Sequence, residues 1–393
     1  MKIVLSYCLL FASFSSFAQD TSKLYLARAE SMYSNIWNHF RVPKYKGLFS
    51  EHFPAGHSDS LNYFQGNAVK AKEVSFLWPF SGVFSATNSL LRSDSVKEKY
   101  LPFLDSCVIG VEYYRDTMRK PTGYQAYPTM FEKVDRYYDD NGLVGIDYME
   151  AYVNTKNELY LQRAKEVFTF IISGWNDDAG GGVTWLEGHN DQKPACSNGT
   201  ALLVALKIFE ASKEKYYLDW GKRFYDWEYQ HLRDTNGLYS NDKKLNGEVN
   251  RTFYTYNSGF MLEAATLLYK LTNNKKYLQH AQQLAKDTYT YFSKIKHDNR
   301  LKMFIDLPWF ITVLFRGYEA LYNLDGNYRF IAAIEKDLNY AWEHSKDQYG
   351  FITNNWLPDE KEIAKPKWLL DEACIAELYA RLSLIHFIRK KSF

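Results

Sequence analysis

The chain has 393 residues, enough for a large buried core, and its 48 Lys plus Arg almost cancel its 46 Asp plus Glu. That balance, without a basic arm or patch, argues against nucleic acid as a partner and leaves neutral substrates open. Aromatic residues make up 17% of the chain, and no linker or Pro/Gly-rich stretch divides it.

At the N-terminus, Lys2 precedes a short apolar run from Ile3 to Phe17, and Phe17-Ala18 ends it on a small residue. The pattern predicts a signal peptide over 1–18 and export to the periplasm or the outside, with one catalytic domain over 19–393. No later segment reaches the ~18 uninterrupted apolar residues of a membrane span, so no membrane insertion is expected. Beyond the leader the cysteines are Cys107, Cys196 and Cys374, too sparse for a disulfide framework. Cys-x-x-Cys and His-Glu-x-x-His spacings are absent, so no metal and no cofactor are expected. The chain is read as a monomer.

From residue 24 onward, polar and apolar helical patterns alternate. Amphipathic helices are predicted near 24–40, 97–115, 159–173, 216–232, 276–293 and 328–345. Apolar helices, suited to enclosure on all sides, are predicted near 78–92, 140–154, 198–211, 257–271, 309–323 and 371–388. A Tyr-Leu pair opens three of the amphipathic helices, at 160, 217 and 277, recurring after 57 and then 60 positions. Twelve helices alternating between inner and outer positions predict an all-α (α/α)6 barrel; a linear helical solenoid is the alternative.

Inner helices of such a barrel run parallel, so their starts converge on one face. Those starts carry Trp78, Asp139-Asp140-Asn141, Asn198, Tyr256-Asn257 and Trp309. Asp or Asn at a helix start ordinarily caps it, which is the bland reading of each position alone. Together, carboxylates, amides and Trp rings around one cleft suit a sugar, whose rings stack on aromatic faces. Trp175 to Trp185 adds a second acidic pair, Asp177-Asp178, and three glycines, read as a turn that carries Trp185 to the cleft. Arg136 and Arg316 are placed close to the same face.

The ordered motifs Leu77-Trp78-Pro79-Phe80-Ser81-Gly82, Tyr124-Gln125-Ala126-Tyr127-Pro128 and Tyr137-Tyr138-Asp139-Asp140-Asn141 make a more specific pattern. Cys196-Ser197-Asn198, Tyr256-Asn257-Ser258-Gly259 and Trp309-Phe310 with Arg316-Gly317 extend it. With these motifs the chain resembles glycoside hydrolase family 76, the α-1,6-mannanases, and in particular its secreted Bacteroidetes-type members. The pattern departs at Gly142-Leu143, where an aromatic residue would stand, and at Lys193-Pro194 in place of Lys-Asn.

The resemblance implies an (α/α)6 barrel and retaining cleavage of α-1,6-mannosidic linkages in α-mannan, with Asp139 as nucleophile and Asp140 as general acid/base. The substrate-binding candidates are Trp78, Tyr138, Asn141, Trp185, Asn198, Tyr256, Asn257, Trp309 and Arg316. The charge of Asp139 is expected to be the main force that raises the pKa of Asp140. Two other readings stay open: a glucuronyl hydrolase or polysaccharide lyase on the same barrel, and a glycan-binding protein without turnover.

Overall fold

The computed structural model describes residues 2–56, 72–296 and 301–391. The side chains of the expected leader, residues 1–18, lie outside the described residues. Six inner helices are α2 (Leu77–Leu91), α4 (Tyr138–Thr155), α6 (Ala195–Ser212), α8 (Thr255–Thr272), α10 (Pro308–Asp325) and α13 (Leu369–Lys391). Six outer helices are α1 (Lys2–His39), α3 (Lys97–Glu112), α5 (Glu158–Ser173), α7 (Lys215–His231), α9 (Lys275–Phe292) and α11 (Arg329–His344). A single turn, α12 (Glu360–Ile363), precedes α13.

Each inner helix packs on the next, and α13 packs on both α10 and α2. That last contact closes the ring, so the molecule is an (α/α)6 barrel and not an open solenoid. Close approach comes from small residues at the inner interfaces. A Cβ on Gly142 of α4 would fall 2.1 Å from the Thr200 hydroxyl of α6, and one on Gly259 of α8 would strike the α10 backbone at Leu314. Gly in a helix interior costs about 1 kcal/mol relative to Ala, a cost offset here by the packing it permits.

The repeat seen in the sequence has a backbone cause. Inner helices α4, α6 and α8 end on Lys156, Lys213 and Asn273 in the left-handed region, and the next helix begins within two residues. The left-handed residue satisfies the last carbonyls of one helix and turns the chain, while a cap such as Asn157 or Asn274 accepts from the first amides of the next. Inner-to-outer connections are therefore short.

Outer-to-inner connections are long and carry all the strands found among the described residues. These are β1 (His52–Phe53), β2 (Arg115–Asp116), β3 (Gly123–Tyr124), β4 (Gln192–Pro194), β5 (Ser240–Lys244), β6 (Val249–Phe253), β7 (Ser293–Lys296), β8 (Leu301–Phe304) and β9 (Lys367–Trp368). They pair antiparallel as β1-β9, β2-β3, β4-β5-β6 and β7-β8. One end of the barrel is thus built of tight turns and the other of elaborated loops, where binding groups are expected. No helix among the described residues is long and apolar enough to cross a membrane.

Candidate active site

At the elaborated end, a cavity of about 400 Å³ opens over the starts of the inner helices. Its aromatic wall comes from α2, α8 and α10 and the residues that lead into them: Trp78, Tyr254, Tyr256, Trp309 and Phe310. Trp78 meets Trp309 edge-on at 5.2 Å, and Tyr256 lies 4.4 Å from Phe310 between ring centroids. The opposite wall holds Asp139, Asp140, Trp185 and Cys196. None of the described residues that line the cavity is Lys or Arg.

The acidic pair occupies the first turn of α4, where helical periodicity has only begun and both side chains can face the cleft. Just upstream, Tyr137 bridges Leu186 and the Tyr138 amide donates to the Trp185 carbonyl at 3.0 Å. This pairing holds the 183–187 loop against the start of α4, so that the Trp185 indole N–H donates to Asp139 Oδ2 at 3.1 Å. The loop gets there through Gly180, Gly181 and Gly182, all at positive φ. Lys193 fastens it from below: its buried Nζ donates to the Gly182 carbonyl, the Asn176 carbonyl and Asn176 Oδ1. Burial brings that ammonium down to about 8.

The two carboxyls share burial but differ in company. Burial raises Asp139, while the Cys196 thiol, the Trp185 indole and backbone amides stabilise its charged form and pull it back. Asp140 is 4% exposed and meets no hydrogen-bond donor among the described residues. Burial pushes it well above the usual carboxylate range, and the charges of Asp139 and Glu51 push it further. The expected order of causes is therefore reversed: desolvation leads and the neighbouring charge follows. Both carboxyls are raised, Asp140 the further of the two, so burial and like charge favour a proton on Asp140 over one on Asp139.

A family model for glycosyl hydrolase family 76 matches residues 62–304, more than half of the chain. The chain belongs to glycosyl hydrolase family 76. Mannan endo-1,6-alpha-mannosidase DCW1 of Candida glabrata is 31% identical to it over 156 residues. That match covers 35% of this chain and only 34% of the fungal relative, about a third of its length. The family 76 mannosidase Bt3792 of Bacteroides thetaiotaomicron superposes with a TM-score of 0.81 at 27% identity, covering 93% of this chain and 99% of that one. An inactive variant of the α-1,6-mannanase GH76A of Salegentibacter, in complex with α-1,6-mannotriose, has a TM-score of 0.74 at 21% identity. It covers 92% of this chain and 99% of that one, and it shares the fold.

Of the residues singled out in this family 76 sequence, Asp139, Asp140, Trp78, Trp185, Tyr256 and Trp309 line the cavity. Tyr138, Asn141, Asn198, Asn257 and Arg316 do not. Tyr138 stacks on Phe170, 4.9 Å away, behind the helix start. Asn141 and Asn198 act as backbone clamps. Asn141 accepts from the Tyr124 amide and donates to its carbonyl, and Asn198 does the same to Val183. Asn257 is buried, and its amide nitrogen reaches Asn241 at 3.5 Å. Arg316 lies midway along α10, a little over two turns from its start, paired with Glu377 inside the barrel. Arg136 is also withdrawn, ion-paired to Glu187 and lying over the Phe170 ring. Asp177 and Asp178 sit on an exposed turn away from the cavity.

Gln192, Cys196, Asn241, Tyr254 and Phe310 also line the cleft and were not among the chosen site residues. Phe310 and Cys196 stood within quoted motifs, and Tyr254 lies two residues before Tyr256. Gln192 and Asn241 reach the cleft from paired strands.

Proposed function

We propose that this chain is a retaining glycoside hydrolase that cleaves α-1,6-mannosidic linkages in α-mannan. Asp139 attacks the anomeric carbon while Asp140 protonates the departing oxygen; water then releases the glycosyl-enzyme with Asp140 as base. The observation that carries this reading is the split environment of the pair. Asp139 is given donors that favour its anion, whereas Asp140 has none among the described residues and burial and neighbouring charges favour its neutral form. Consecutive carboxyls on one turn suit the short separation, roughly 5–5.5 Å, that accompanies retention.

The substrate assignment draws on the relatives, which are named for mannan or α-1,6-mannan activity, and on a neutral aromatic cleft. A uronic acid substrate would call for cations that the described cavity lining does not supply. Export with removal of residues 1–18, as in the secreted Bacteroidetes-type branch, fits a polymeric substrate.

The test is hydrolysis of debranched α-1,6-mannan by Asp139→Asn and Asp140→Asn. Loss of acid/base catalysis alone is worth about 10²–10⁴-fold, so each variant should fall by at least that without losing thermal stability. Near-normal turnover in either folded variant removes the assignment.

A further inference from the structure

Strand geometry brings a second, polar element to the cleft. Along β4, Gln192 and Pro194 line the cavity, whereas Lys193 between them points the other way into its cage of oxygens. On β5 the pairing with β6 slips between Ser240 and Asp242, and the residue at that slip is Asn241. A bulge of this kind turns one side chain off the regular alternation, and here Asn241 reaches the cavity.

Asn241 cannot rotate freely. Its Nδ2 donates to Asp242 Oδ2 at 3.0 Å, and that carboxylate also accepts from Asn250 at 2.8 Å. Its Oδ1 accepts the Tyr256 hydroxyl proton at 3.2 Å, which leaves the Tyr256 oxygen as an acceptor facing the cleft. Gln192 is different: half-buried in the cavity wall, its amide has no hydrogen-bond partner among the described residues. An amide offers one acceptor and two donors, the complement of neighbouring sugar hydroxyls. Because β4 rises ~3.3 Å per residue, Gln192 stands roughly 10 Å up the wall from the α6 start, where Cys196 lies against Asp139. That distance puts it beside a sugar unit other than the one under attack.

We propose that Gln192, with Tyr256 held in place by the bulged Asn241, forms a hydroxyl-binding subsite for a hexopyranose unit next to the cleaved one. The proposal rests on the glycan-hydrolase reading and deepens it: Gln192 supplies binding that is the same in ground and transition states, so it sets affinity for longer chains. The experiment compares wild type, Gln192→Ala and Gln192→Glu on α-1,6-mannooligosaccharides of increasing length.

Gln192→Ala should raise KM roughly 3- to 10-fold for the longer substrates, the scale of one neutral hydrogen bond, with kcat unchanged. The shortest cleavable substrate should show no change, and Gln192→Glu, which keeps an acceptor, should fall between. Wild-type KM in Gln192→Ala at every length, or a loss confined to kcat, overturns the subsite while leaving the hydrolase intact. A wild-type protein that neither cleaves nor binds these oligosaccharides overturns the underlying reading and the subsite with it.

Discussion

Two regions of the barrel bury carboxylates alike and shift their pKa values in opposite directions. At the cleft end, Asp140 is pushed well above the usual range because burial and neighbouring anions act together. Away from the cleft, burial raises Glu377 too, but Arg316 and Arg381 outweigh it and hold the group at about 2. Arg316 and Arg381 donate to Glu377 at 2.7 Å, Arg381 donates to Glu319, and Arg92 grips Glu319 through two contacts. Lys207 then links Glu263 and Glu150, so that five inner helices, and Arg92 just past the end of α2, contribute a charge. Burial sets the cost of a charge; the partner decides whether the charge is kept. One region thus keeps its carboxylates charged, while at the other burial and like charge favour the neutral form.

Breaking the charged network should produce the largest change in stability. Arg381→Met leaves Glu319 and Glu377 with half their partners, and removing one side of a buried ion pair costs about 3–5 kcal/mol. Urea denaturation of that variant should show a loss of this size. The Asp140→Asn variant should show no such loss and should gain stability at neutral pH, because the amide replaces a carboxyl whose burial disfavours its charge.

At the cleft end the expected loss is in rate. Trp185→Phe keeps the ring but removes the N–H that donates to Asp139. A hydrogen bond to a charged group is worth about 1.5–3 kcal/mol, so kcat/KM should drop roughly 10- to 100-fold with little change in melting temperature.

The same network also predicts a dependence on pH. Glu319 and Glu377 are both depressed to about 2 in the folded state, against about 4.5 for free Glu. Their contribution is complete above the unfolded value and is lost as pH falls from about 4.5 towards 2. The urea midpoint should decline across that window, and Glu377→Gln should flatten the decline. A raised acid has the opposite sign: the stability associated with Asp140 is greatest at low pH and diminishes as pH rises above about 4.

The helices and the aromatic wall were legible in the sequence because each follows from a local rule. Apolar runs at helical spacing, and the turns that end on Lys156, Lys213 and Asn273, fix where inner helices stop. Parallel inner helices then put Trp78, Tyr256 and Trp309 together without further information. Asn141 and Asn198 stand outside the described cavity lining because an amide in a helix's first turn serves any backbone left unpaired nearby. Only the folded chain shows that Tyr124 and Val183 lie across from them. Arg316 was displaced because its position well inside α10, far from the helix start, weighed less than its place in a motif. Gln192 and Asn241 depend on strand pairing and a bulge, which residue spacing does not reveal. The Asn246-Gly247 turn between β5 and β6 was the one local signal that a hairpin rises beside the cleft.

The central claim is that Asp139 is the charged nucleophile and Asp140 the protonated partner. Its most direct test is to trap the enzyme with a slow fluorinated α-mannosyl donor and locate the sugar by peptide mass spectrometry. This account predicts one mannosyl unit bonded to Asp139, and none in Asp139→Asn. A sugar found on Asp140, or full turnover with inversion at the anomeric centre and no trapped species, would contradict it.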